Sequence, residues 1–193
     1  MTSSSIFRIG AFSTNNTEYS PLTIIQKFFS ATSCNNISYI KENHVEFEYT
    51  LTALNNKEIH INFIQILTYE KGCNICNCAD CFILFIDYAH EHSKSHYDDI
   101  IKYIVDKCNI DKKVYLVCFN NNELNESNTY KDVIEKTNLN FEFIDMNIDN
   151  QDELVKNVEC ILTESFEIKI KLQNNRKEYD YGDMSGSKGC LIY

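Results

Sequence analysis

The chain has no excess of basic residues. Its 18 Lys and Arg stand against 28 Asp and Glu, a formal net charge of −10. A nucleic-acid partner needs a basic footprint for its phosphates, so this balance argues against DNA or RNA. Long apolar runs are missing as well; the longest, "CFILFI", is far too short to span a bilayer. The N-terminus "MTSSSIFRIG" has neither a charged leader nor an extended apolar stretch, so no signal peptide is expected and the chain is expected to be cytoplasmic. In that compartment the nine cysteines are thiols, not disulfides. Proline occurs once, and neither that scarcity nor the abundance of asparagine carries a functional reading.

What remains is an ordinary globular composition, 44% apolar and 24% charged, in a chain long enough for one sizeable core. Six β-rich runs stand out, at 6–12, 44–54, 58–66, 81–88, 112–119 and 141–146. The second and third flank Asn55 and Asn56, a pair that tolerates positive φ, and are expected to form an antiparallel hairpin with a two-residue loop. Ser20 caps and Pro21 opens a helix through Phe29. A second helix starts at Ser93 or Ser95 and carries Ile100, Ile101 and Ile104 on one face, with Asp98 and Asp99 in its first turn. Weaker periodicity marks 126–137. A strong apolar repeat, Leu154, Val155, Val158, Ile161 and Leu162, marks a helix over 151–166. "CFILFIDY" and "KVYLVCF" are apolar on both faces, as central parallel strands are when helices cover both sides. The expected fold is α/β: a doubly wound, mostly parallel six-stranded sheet with one antiparallel hairpin and helices on both faces. Residues 1–170 form the domain, and 171–193 a flexible tail with no apolar period from Asn174 onward.

Four segments fit one known pattern in register: "FRIGAF" as a first strand, "HVEFEYTLTALNNKEIHINFIQI" as a hairpin, "CFILFIDYAHEHSKSHYDDIIKYI" as a fourth strand and helix, and "VYLVCFNNNEL" as a base-recognition strand. With a cysteine four residues from the end, this order resembles the Ras superfamily of small GTPases, in its Ras or Rab branches, over residues 6–166. The resemblance implies GTP or GDP with magnesium as ligands and GTP hydrolysis as the activity. The motifs that would carry this are altered. Ser13 stands for the first loop glycine, Glu18 for the second and Tyr19 for the phosphate-neutralising lysine; Ser20 alone matches. Gln65, Thr68 and Tyr69 replace the magnesium-holding aspartate, the glycine and the water-orienting glutamine, and Glu42 falls at the switch threonine. Asn120 is kept in the guanine-reading motif, Asn121 replaces its lysine and Glu123 its aspartate, while Asp145, Met146 and Asn147 replace the last motif.

Each lost charge-assisted contact is worth about 1.5–3 kcal/mol, so the set removes on the order of 6–15 kcal/mol. A nanomolar complex holds only about 12 kcal/mol. The expectation is therefore a pseudo-GTPase: no catalytic residues, no bound cofactor, and a role as an interaction module in membrane trafficking or signalling. Any surviving nucleotide contact would fall to Ser20, Asn120 and Glu123. The alternative is an active GTP-binding switch, for which GTP or GDP with magnesium would be the cofactor. Protein partners are expected at the switch-equivalent loops 30–43 and 67–80. The end "CLIY" is similar to a prenylation box on Cys190, implying a lipid anchor on the cytosolic face of a membrane, although Tyr193 is not a usual last residue. The tail from Asn174 carries three basic and three acidic residues, so it adds no electrostatic second signal. A further alternative is metal binding through "CNICNCADC", with Cys73, Cys76, Cys78 and Cys81, although structural zinc sites usually split their ligands into two distant pairs.

Overall fold

The computed structural model of the chain describes residues 6–13, 20–66, 78–87, 94–107, 112–119 and 140–183. Its elements in chain order are β1 (Phe7–Phe12), α1 (Pro21–Ala31), β2 (Asn35–Lys41), β3 (His44–Leu51), a 3-10 turn (Thr52–Leu54), β4 (Lys57–Ile66), β5 (Cys81–Asp87), α2 (Lys94–Lys107), β6 (Lys113–Phe119), β7 (Asn140–Asp145) and α3 (Gln151–Asp183). The seven strands form one sheet in the order β2-β3-β4-β1-β5-β6-β7. β1 pairs in parallel with β4 and β5, β5 with β6, and β6 with β7. β2 pairs antiparallel with β3, and β3 antiparallel with β4. The α/β class and the mostly parallel sheet agree with the sequence reading.

Burial explains the layers. β5 and β6 are buried at every position, because both faces of these strands are covered. One face carries Phe7, Ile9, Val45, Phe47, Ile61, Ile83 and Tyr115 against Ile24 and Phe28 of α1 and Leu154, Ile161 and Phe166 of α3. The other carries Phe12, Phe82, Leu84, Val114 and Leu116 against Ile100, Ile101 and Ile104 of α2. β3 alternates, with Val45, Phe47, Tyr49 and Leu51 buried and His44, Glu46 and Glu48 turned the other way. There the polar side chains meet their cross-strand neighbours: Asn62 Nδ2 donates to Glu46 Oε1 at 3.0 Å, and His60 Nε2 lies 3.5 Å from Glu46.

Four expectations are corrected. The sheet has seven strands, not six: Asn35–Lys41, read as part of a loop over 30–43, is a strand. The hairpin loop is not two residues, since Leu51 pairs with Lys57 and a 3-10 turn precedes the asparagines. Asn55 and Asn56 nevertheless both take positive φ, at 58° and 56°. The last helix runs 33 residues to Asp183, beyond Phe166 and through Asn174. α2 starts at Lys94, which leaves its first turn without an acidic residue and moves Asp98 and Asp99 further along. The weaker helix at 126–137 lies outside the described residues. Among the described residues, no helix is long and apolar enough to cross a membrane.

The amino ends of the parallel strands are tied down by charge. Lys169 Nζ, on α3, donates to Asp80 Oδ2 at 2.8 Å and to the carbonyl of Ile6 at 2.6 Å, and Asp80 Oδ2 also accepts from the amide of Arg8 at 2.8 Å. Lys113 Nζ lies 2.6 Å from Glu142 and 2.9 Å from Glu164. Tyr115 donates to Glu164 Oε2 at 3.0 Å and accepts from Ser165 Oγ at 2.9 Å.

Candidate functional site

In an open α/β sheet the natural crevice lies outside the carboxyl ends of the strands, where successive connections leave in opposite directions. Here that point is the end of β1, flanked by β4 and β5. The groups gathered there are Ser13, Gln65 and Asp87, all buried, and the N-terminus of α1. Such a helix end offers backbone N–H groups and a positive dipole to an anion, provided those donors are free.

They are not free. Pro21 has no N–H. The amide of Leu22 donates to Gln65 Oε1 at 3.1 Å, from a side chain 43 residues away in β4. The amide of Thr23 donates to Ser20 Oγ at 3.1 Å, and Ser20 Oγ also lies 2.9 Å from Thr23 Oγ1. The amide of Ile24 donates to the carbonyl of Ser20 at 3.1 Å, as in any helix. Every backbone donor of this first turn therefore has an internal acceptor. Ser20 sits where the sequence reading put it, but its hydroxyl is engaged as a helix cap. Gln65, which the resemblance would set at the magnesium ligand's position, closes the helix end with its carboxamide. No local pattern announces that role, because the partner lies so far off in sequence.

Among the described residues, the Gln65 carboxamide is already in use on the Leu22 amide and the Ser20 oxygen is engaged in the helix cap. Met146 and Asn147, where the resemblance would set the last motif, are engaged within the fold. Met146 is buried and its amide donates to the carbonyl of Cys118 at 2.9 Å. Asn147 accepts from the amide of Asp149 through Oδ1 at 3.1 Å and donates its own amide to Glu153 at 2.9 Å, a side-chain-stabilised turn into α3. Lys27 of α1 reaches Asp149 at 2.8 Å and pins that turn to the helix, beside a groove of about 290 Å³ lined by Thr23, Gln26, Ile148 and Leu154.

Asn120, Glu123 and Cys190 lie outside the described residues, as do Cys73 and Cys76. Cys78 is exposed, whereas Cys81 is buried in the core beneath α3. Burial pushes the Cys81 thiol up to about 12. Among the described residues no group of three or more His, Cys, Asp or Glu side chains comes together as a metal site. Compared with protein-family models and with curated proteins, the chain finds no match.

Proposed function

We propose that this chain is a Ras-like G domain that has given up tight nucleotide binding and serves as a protein interaction module, carried on a membrane by a lipid on Cys190. Support for the scaffold comes from a parallel sheet with one antiparallel edge, helices on both faces and a capped helix directly after β1. The observation that carries the loss of nucleotide is the Gln65 carboxamide on the Leu22 amide, which fills from within the helix end that a phosphate would need. Partner proteins engage the surfaces within 30–43 and 67–80. No hydrolytic step is assigned to any residue.

The test is to purify the full chain in magnesium, denature it and identify released nucleotide by chromatography, with a GTP analogue titrated in parallel. The reading expects no stoichiometric nucleotide and no saturable binding up to millimolar analogue. Near-stoichiometric GDP or GTP would overturn it and restore the active switch.

A further inference from the structure

β2 stands at one end of the sheet, and all seven of its residues are exposed. Ile37, Tyr39 and Ile40, at 38, 54 and 49%, are the exposed large hydrophobic residues of the described part of the chain. One row of β2 backbone groups pairs with β3; the other faces outward, and such a row is a template for a further strand. Natural edges are usually blunted by charge or proline, yet Asn35–Lys41 carries one charged residue, Lys41, at its end. Two register shifts against β3 bend the strand, but Ser38 and Tyr39 stay in consecutive pairing with Glu46 and Val45.

We infer that a second copy of this chain covers this edge, with the two β2 strands antiparallel about a two-fold axis at Ser38, so that two seven-stranded sheets become one. The strand sequence "NNISYIK" selects this occupant. Self-pairing about Ser38 sets Ile37 opposite Tyr39 of the second copy, while Asn36, at a φ of 50°, ends the regular extended run on that side. Two identical aromatic–β-branched pairs then flank the axis, and no like charges face each other. A basic strand from another protein would be drawn to the net charge of −10, but β2 itself has no carboxylate to read it. A seven-residue strand is about 23 Å long, too narrow a strip for a standard interface of about 800 Å² per partner, so the dimer is weak and reversible. The pairing also hides part of 30–43, so dimer and partner complex exclude each other; that consequence rests on the interaction reading above, whereas the dimer itself does not.

Sedimentation velocity of the full chain over a wide concentration range tests the proposal, with Ile37→Lys/Tyr39→Lys as the disrupting variant and Lys171→Glu, on exposed α3 surface, as control. Circular dichroism verifies folding. Wild type and control should pass from monomer to dimer as concentration rises, and the double variant should stay monomeric. Wild type that is monomeric throughout, or a folded double variant that dimerises equally well, overturns the proposal. Should the double variant fail to fold, Ser38→Cys gives an independent answer. Mild oxidation should join position 38 to its own copy, identified by peptide mass spectrometry, and absence of that link counts against the two-fold pairing. A monomeric wild type would leave the nucleotide-free reading to its own test, since nucleotide content does not depend on the edge.

Discussion

The side-chain oxygen of Gln65, near the end of β4, lies 3.1 Å from the backbone nitrogen of Leu22 in the first turn of α1. Gln65 is only 7% exposed, so this bond is made away from water. Gln65→Leu removes the acceptor at nearly constant volume and leaves the Leu22 amide without its cap. The expected loss is about 1–2 kcal/mol of unfolding free energy, comparable to deletion of a helix cap. Urea denaturation reads the loss, and faster hydrogen exchange at the Leu22 amide localises it.

Gly10 lets β1 and β5 lie together on the α2 side. A Cβ at this position would stand 2.9 Å from two ring carbons of Phe82 and 3.3 Å from Ile66 Cδ1. Gly10→Ala therefore overpacks the second core and should cost about 1–3 kcal/mol. Adding Phe82→Leu shortens the opposing side chain, so the double variant should lose less than the two single changes summed. A double-mutant cycle in urea measures that coupling.

The pH profile of stability follows from the tied amino ends of the strands. Burial acts to raise the pKa of Glu164, but the hydrogen bonds from Lys113 and Tyr115 prevail and hold it below the usual carboxylate range. Its contribution is present above about pH 4.3 and is lost as pH falls through the lower folded value. Burial acts to lower the Lys113 pKa, yet Glu142 and Glu164 raise it, so that term is present below about pH 10.4 and lost at higher pH. Cys81, pushed up by burial to about 12, favours the folded chain fully below about pH 8.5 and loses that contribution as pH climbs toward 12. Burial also raises Tyr115 and Tyr49, which steepens the same alkaline limb. Thermal melts should thus be flat near neutrality, decline below about pH 4.3, and decline from about pH 8.5 upward. Cys81→Ala should delay the alkaline onset.

Thiol accessibility separates the cysteines. Cys78 and Cys160 are exposed and should react with a thiol reagent in the native state, whereas Cys81 and Cys118 are buried and should react only on unfolding. Peptide mapping after pulse labelling reads each site. Rapid native labelling of Cys81 would contradict its place in the core.

The proposed lipid anchor makes a separate prediction. Expressed in eukaryotic cells, the wild-type chain should partition partly into the membrane fraction, and Cys190→Ser should move wholly to the soluble fraction. The tail's balanced charge leaves nothing to replace the lipid. Equal partitioning of the two would remove the anchor from the reading.

Local and pattern-borne features were legible in the chain. "CFILFID" and "KVYLVCF" must be covered on both faces wherever they lie, because apolar residues fall on both faces of each run. Ser20 and Pro21 start a helix by chemistry confined to one turn, and paired asparagines relieve a positive-φ bend. Tertiary structure decided the rest. Asn35–Lys41 shows no alternation because none of its residues is buried, and it becomes a strand only because β3 offers it backbone partners. Beyond Phe166, α3 has little periodic apolar signal, yet Lys169 is held at the foot of β1 by the carbonyl of Ile6 and by Asp80. The closing of the α1 end by Gln65 belongs to the same class: a hydrogen bond between residues 43 apart exists only once β1 and β4 pair and bring β4's end beside the helix. Periodicity and capping are properties of neighbours in sequence, and the candidate site is built from contacts between strangers.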